Sequence, residues 1–442
     1  MPTLPVRTSR DRQRAIWWPS LLFVGSALAV VHGNLGCSSS GDGDGTGGMG
    51  GDTTTSVGTS AGTSGAAGTS STAGSGGTTT GTTTSAGGAG GADGASAGGA
   101  GGGSTWEGCD EFELPPDCTI PEGAVLPGEL RCTGLYSDWE MRTLRCGVEA
   151  YAPAYQLWSD GAGKQRYVWL PPGTSIDVSD PDDWDYPVGT RFWKEFHVGP
   201  EGSQTLGETR YLLRSEAGWL YTAYVWDEEG TTAIQENEGV DDLFGTGHSV
   251  PSREQCKTCH IGRQQFILGW DFIMLGAGAT GVTAQALADA GQLSELDEAH
   301  LTVSVPGDDV EQAALTYMHA NCGVSCHNTT LDATANPSGL YLRLEMDALD
   351  SVLSTGAAAG INQPPGPNAM FSDLPDQPSE PYYDFRPLDP ERSLSLARMI
   401  FRGSETAMPP LGTHVAHQDG VDRVRAWIES MTEERGYPAP AD

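Results

Sequence analysis

The sequence predicts an α+β multidomain chain, with a β-sandwich-like domain followed by a mainly α domain, after a disordered tether. Three observations carry this reading. From Cys37 to about Thr105 the chain is almost entirely Gly, Ser, Thr and Ala, too poor in apolar area to offset backbone entropy. Between Tyr151 and Val250 aromatic and β-branched residues alternate with charged ones, as in sheets with one wet face. Beyond His260 the pattern turns to Ala- and Leu-rich stretches preceded by capping residues, the signature of short helices.

The divisions follow in order. Residues 1–36 read as an export signal: Arg7, Arg10, Arg12 and Arg14 form the positive region, and Ala15 to Val31 the apolar one. That run is almost long enough to span a bilayer as an uncleaved anchor. Cleavage fits after Ala27-Leu28-Ala29, or just before Cys37 as in a lipoprotein. Asn34-Leu35-Gly36-Cys37 resembles a lipobox, with Asn34 where Leu is usual. The resemblance implies lipidation of Cys37 and anchoring at a membrane face. Residues 37–107 are the tether, 108–250 a Cys-stapled β-rich domain, 251–304 a connector and 305–442 the mainly α domain.

Within these divisions, residues 108–150 are interrupted by Cys and Pro and read as loops. Arg166–Leu170, Thr190–Val198, Arg210–Arg214 and Trp219–Trp226 read as strands, the last two joined by a hairpin turn at Glu216-Ala217-Gly218. Thr283–Ala299 and Asp308–Asn321 read as helices. Pro337–Pro387 reads as mostly loop. Asp389 caps a helix running to about Arg402, with Pro390 where its missing N–H costs nothing. Asp419 caps a last helix to about Met431, in which Val421, Val424, Ile428 and Met431 form one apolar stripe.

The formal charge is −34, and removal of the four arginines and one aspartate of residues 1–36 leaves about −37. This disfavours nucleic acid and anionic lipid as partners. It suits a basic redox partner, or serves only to keep a surface protein soluble. Of nine cysteines, Cys109, Cys118, Cys132 and Cys146 form an even set in an oxidising compartment and read as two disulfides of open connectivity.

Four cysteines carry the chemistry. Cys256-Lys257-Thr258-Cys259-His260 is a C-x-x-C-H motif, and Cys322-Gly323-Val324-Ser325-Cys326-His327 is the same motif with one more residue. Two thiols add to the two haem vinyl groups and the adjacent histidine ligates iron. The expectation is two covalently bound haem c, with His260 and His327 as proximal ligands. At the second site the rivals are a Cys322–Cys326 disulfide or a metal site made with His327; at the first the rival is zinc, which would take Cys256, Cys259, His260 and His248.

The C-terminal part resembles a class I cytochrome c. A leading helix (Asp308–Asn321), the motif (Cys322–His327), a Met408-Pro409-Pro410-Leu411-Gly412 loop and a closing helix (Asp419–Met431) occur in the family's order. The resemblance implies a cytochrome c-like domain over 305–442, with Met408 as distal ligand. His414 and His417 are the alternatives. Arg253-Glu-Gln-Cys-Lys-Thr-Cys-His260 with Phe266-Ile-Leu-Gly269, and Asn321-Cys322 through His327-Asn328 downstream, resemble exported bacterial di-haem c-type cytochromes of unassigned substrate. That likeness implies haem binding and electron transfer. For the distal ligand of the first haem, Met274 stands first, then His248 and His197.

Two further clusters have bland readings beside functional ones. Trp158, Trp169, Trp184, Trp193, Trp219 and Trp226 read as sheet core, or as a binding face if exposed. Asp160, Asp177, Asp180, Asp182 and Asp183 read as a solvated acidic surface, or as a calcium site. The function expected is single-electron relay in the cell envelope. The alternatives are a di-haem peroxidase-like enzyme or haem subunit of a dehydrogenase, and a haem-free zinc-stabilised binding module.

Overall fold

Seven strands form one antiparallel sheet, not two packed sheets. The computed structural model describes residues 109, 115–120, 125–366, 374, 378, 381–403 and 406–441. The signal (1–36), the tether (37–107) and Cys37 lie outside the described residues. In chain order the strands are β1 (Glu149–Ala152), β2 (Gly163–Trp169), β3 (Arg191–Val198), β4 (Thr205–Ser215), β5 (Gly218–Trp226), β6 (Ala233–Glu236) and β7 (Thr280–Gly281). They lie side by side as β7-β1-β2-β3-β4-β5-β6. The β4–β5 hairpin falls where expected, closing at the Ser215↔Gly218 pair. Gly218 has φ of 118°, a conformation open to glycine at no steric cost.

The expected sandwich is corrected by what covers the faces. One face buries Tyr167, Trp169, Trp193, Tyr211, Tyr224 and Trp226 under Leu126, Leu130 and Leu135 of the loop-rich start. The other buries Val168, Leu170 and Phe192 under Trp184, Trp270, Phe272 and Leu287. Alternation shows that a strand has two faces; it does not say that a second sheet covers either. Trp169, Trp184, Trp193 and Trp226 are at most 5% exposed, so these four are core. Two disulfides, Cys109–Cys146 and Cys118–Cys132, staple the covering segment.

Among the described residues there are six α-helices: α1 (Arg253–His260), α2 (Ala284–Asp289), α3 (Asp309–Met318), the single turn α4 (Gly356–Ala359), α5 (Leu394–Ile400) and α6 (Gln418–Ser430). The helix expected over Thr283–Ala299 is only α2. Gly291, at φ of 66°, ends it, and Leu293–Ser294 instead pairs with Ile176–Asp177. Asp389 caps as expected, accepting from Arg392 N, but the helix there splits into a 3-10 turn and α5. At α6 the N-cap is His417, with no side-chain cap. Asp419 lies in the first turn and accepts from Arg423. Asp308 caps α3 through a reciprocal pair with Glu311, which satisfies two otherwise orphaned amides.

Helices α3 and α6 cross where Gly420 meets Tyr317; a Cβ on Gly420 would lie 2.0 Å from the tyrosine ring. Around this crossing Leu315, Met318, Phe385, Val424, Trp427 and Ile428 make the helical core. The described residues all fall in one compact unit.

Candidate functional site

Both Cys-His motifs sit at the junction of the sheet and the helices. α1 begins with a capping box, Ser252 and Gln255 exchanging bonds with each other's backbone. Cys256, Cys259 and His260 then fall three and four residues apart on one helical side. The second motif follows α3 through a single π-turn, His319–Gly323. Val324 N donates to His319 O at 2.9 Å and His327 N to Cys322 O at 2.9 Å, both five residues apart. Such wide turns absorb one extra residue. This is how a C-x3-C-H segment brings its histidine back one turn beyond Cys322.

The imidazoles are prepared alike. His260 Nδ1 lies 2.6 Å from Phe266 O, and His327 Nδ1 lies 3.1 Å from Leu340 O. A ring proton held by a carbonyl leaves Nε2 as the free donor atom. Burial pushes His260 down to about 4 and also lowers His327, so both rings stay neutral, as ligation requires.

Cys322, Cys326, His327 and Met408 line one cavity of about 410 Å³, with Met318, Leu340, Leu342, Phe385, Leu394 and Met399 among its walls. The volume falls within the roughly 300–1,000 Å³ of cofactor pockets. The loop bearing Met408 is clamped: Arg402 Nη2 donates to Pro409 O and Thr413 O, each at 2.7 Å, and to Thr413 Oγ1 at 2.6 Å. His414 and His417 do not line this cavity. His414 bonds Ser249 Oγ at 3.0 Å, and His417 stacks on Trp158 with ring centroids 4.1 Å apart. Two thiols, one imidazole and one thioether around an apolar space match the donor set that c-type haem requires.

The first site is narrower. His260 and Met274 line a cavity of about 100 Å³ with Tyr155, Phe192, Arg166, Lys194 and Arg210. Cys256 and Cys259 are not on its wall. His248 is committed to Glu208, at 2.8 Å, and neither it nor His197 lines the cavity. Met274 is therefore the distal candidate that shares a space with His260.

The two motifs touch. The Cys259 thiol hydrogen-bonds the Cys326 sulfur, which pushes Cys259 up and brings Cys326 down. A Cβ on Gly262 would lie 1.7 Å from Ser325 O, and Thr334 Oγ1 donates to Thr258 O at 2.9 Å. Behind this contact lies a buried charged seam. Asp271 Oδ2 faces His319 Nε2 at 3.4 Å and Arg263 Nη1 at 3.7 Å. Asp271 Oδ1 accepts from Ile273 N and Met274 N, and His319 Nδ1 accepts from Leu344 N at 3.0 Å.

Among the described residues no group of three or more His, Cys, Asp or Glu side chains is gathered as a metal ion needs, which weighs against the zinc and calcium readings. The aspartates expected near loops are used otherwise. Asp160 accepts from His414 N and Val415 N, Asp182 from Met346 N, and Asp183 from Gln264 N. The sequence reading missed Arg402, the Asp271 seam and the Arg166–Lys194–Arg210 group. The cationic strand residues were visible in the sequence, but their juxtaposition was not. Compared with known proteins, the chain matches no family model, no curated protein and no solved structure. Among the described residues no helix is long and apolar enough to cross a membrane.

Proposed function

We propose that this chain is an exported di-haem c-type cytochrome relaying single electrons in the cell envelope, anchored by lipid at Cys37 and serving a basic redox partner. One observation carries the reading: both thiols, the imidazole and the thioether of the second motif region surround a single apolar cavity. Haem, when bound, supplies the redox chemistry, one electron taken or given at iron.

The chain's own residues do the rest. Leu340 O orients His327 and fixes its tautomer. Arg402 holds the Met408 loop in place. The walls of Leu340, Phe385 and Leu394 give the space apolar surface, and with a thioether ligand this favours a raised potential. The contact between Cys259 and Cys326 supports a relay, because the two attachment points adjoin. No acid–base residue is required.

The test is a pyridine haemochrome spectrum with intact mass on protein made alongside the c-haem maturation machinery. Two covalent haems per chain, both low-spin, are expected. A colourless protein overturns the reading. A high-spin band with peroxide turnover replaces it with the peroxidase-like enzyme.

A further inference from the structure

One turn beside the sheet reaches both ends of the second site. It runs from Leu157 to Ala162, just before β2, and its own bonds make it stiff. Lys164 Nζ of β2 donates to Leu157 O at 2.8 Å, Ala162 N to Ser159 O at 2.9 Å, and Gln204 Nε2 to Gly161 O at 3.0 Å. Asp160 sits at the bend with φ of 50°, a left-handed conformation that Asp and Asn adopt more readily than most residues.

From this turn one contact runs to the cysteine side. Trp158 N donates to Asn321 Oδ1 at 2.7 Å, and Asn321 Nδ2 to Tyr317 O at 3.0 Å; Asn321 immediately precedes Cys322. The other contacts run to the methionine side. The Asp160 carboxylate accepts from His414 N at 2.6 Å and from Val415 N at 3.0 Å. Trp158 Nε1 donates to Val415 O at 3.2 Å, and its ring stacks on His417. Trp158 and His417 line a small cleft together with Met408. Arg402 grips this loop from within, through Pro409 O and Thr413 O; the turn grips its far end. Amides donating to a carboxylate make bonds roughly twice as strong as neutral ones.

We propose that Asp160 and Trp158 are positioning residues of the second haem site, holding residues 408–417 in a fixed place relative to Cys322 so that the Met408 thioether stays on the iron. The inference rests on the haem reading above and gives the sheet a part in it. Both residues act through the loop backbone, not by touching the haem.

The experiment uses the full two-haem protein carrying Asp160→Asn, with haem counted on the same sample. Asn suits the bend, but it offers one acceptor oxygen in place of two and sets an N–H against the second amide. Both haems should remain. The charge-transfer band of a methionine-bound ferric haem should weaken, and one midpoint should fall, since the thioether raises it. Cyanide should bind that haem about tenfold more tightly, the factor for losing one charge-assisted hydrogen bond. Trp158→Phe keeps a ring against His417 and loses only the bond to Val415 O; it should move the same readouts the same way, less far. Two attached haems with band, midpoint and cyanide affinity unmoved in Asp160→Asn overturn the positioning role alone. If Asp160→Asn does not yield two-haem protein, Trp158→Phe decides by the same signs. A wild-type protein with two haems and no methionine band overturns Met408 ligation and the positioning role together. A haem-free wild-type protein overturns the haem reading itself, and the role with it.

Discussion

Met408 is the residue on which the character of the second site turns. It shares the cavity with His327, and its own N–H donates to Arg398 O at 3.0 Å, which fixes the backbone beneath the thioether. A thioether raises the potential of iron relative to an imidazole. On the proposed di-haem reading, Met408→His should therefore lower the midpoint of one haem and leave both haems attached. Met408→Ala should open that iron to added imidazole or cyanide, seen as a ligand-induced shift of the visible spectrum. An unchanged midpoint in Met408→His would remove Met408 from the coordination sphere. The neighbouring Cys326 and His327 are placed by the π-turn, whose five-residue hydrogen bonds offset the extra residue in the motif.

At the scale of elements, the approach to the first motif is held by Glu208 of β4. Its side chain is fully buried and joins Arg210 to His248, which lies in the Val240–Leu243/His248–Val250 ribbon leading into α1. Burial opposes ionisation there, yet Arg210 and His248 outweigh it and hold the carboxyl below its ordinary 4.5. A depressed carboxyl contributes stability that is present above the ordinary value and lost as pH falls through the folded one. Glu208→Gln should cost about 3 kcal/mol at pH 7, as for breaking a buried ion pair. That deficit should shrink as the pH is lowered below about 4.5. Urea unfolding of both proteins at pH 7 and pH 4 checks this. An equal deficit at both pH values would assign the loss to packing instead of charge.

For the whole molecule, the Asp271 seam joins two distant stretches of chain. Asp271 follows the first motif and His319 immediately precedes the second; Arg263 completes the group, and Leu344 N fixes the far side of His319. Removing the carboxylate leaves Arg263, 3% exposed, without its counter-charge and His319, 1% exposed, without the carboxylate its Nε2 faces. Asp271→Asn should destabilise the folded chain by roughly 3–5 kcal/mol, read as a lower urea midpoint. A variant within about 0.5 kcal/mol of wild type would show that the segments are joined by packing alone.

The proposed chemistry is a local reading of the sequence. Cys256–His260, Cys322–His327 and Met408 suggest it through spacing and neighbours, and the fold adds that Cys322, Cys326, His327 and Met408 line one cavity. The strands Arg191–Val198 and Gly218–Trp226, the capped α3 and the apolar stripe of α6 were legible through periodicity, since which side of an element is buried is written along it. What depends on residues far apart had to wait for the fold: one sheet instead of two, the pairing of Cys109 with Cys146, and the contact of Cys259 with Cys326. The same holds for Arg166, Lys194 and Arg210, each ordinary on its own strand. Only strand order and register made them neighbours, because cross-strand distance is set by hydrogen bonding between segments and not by position along the chain.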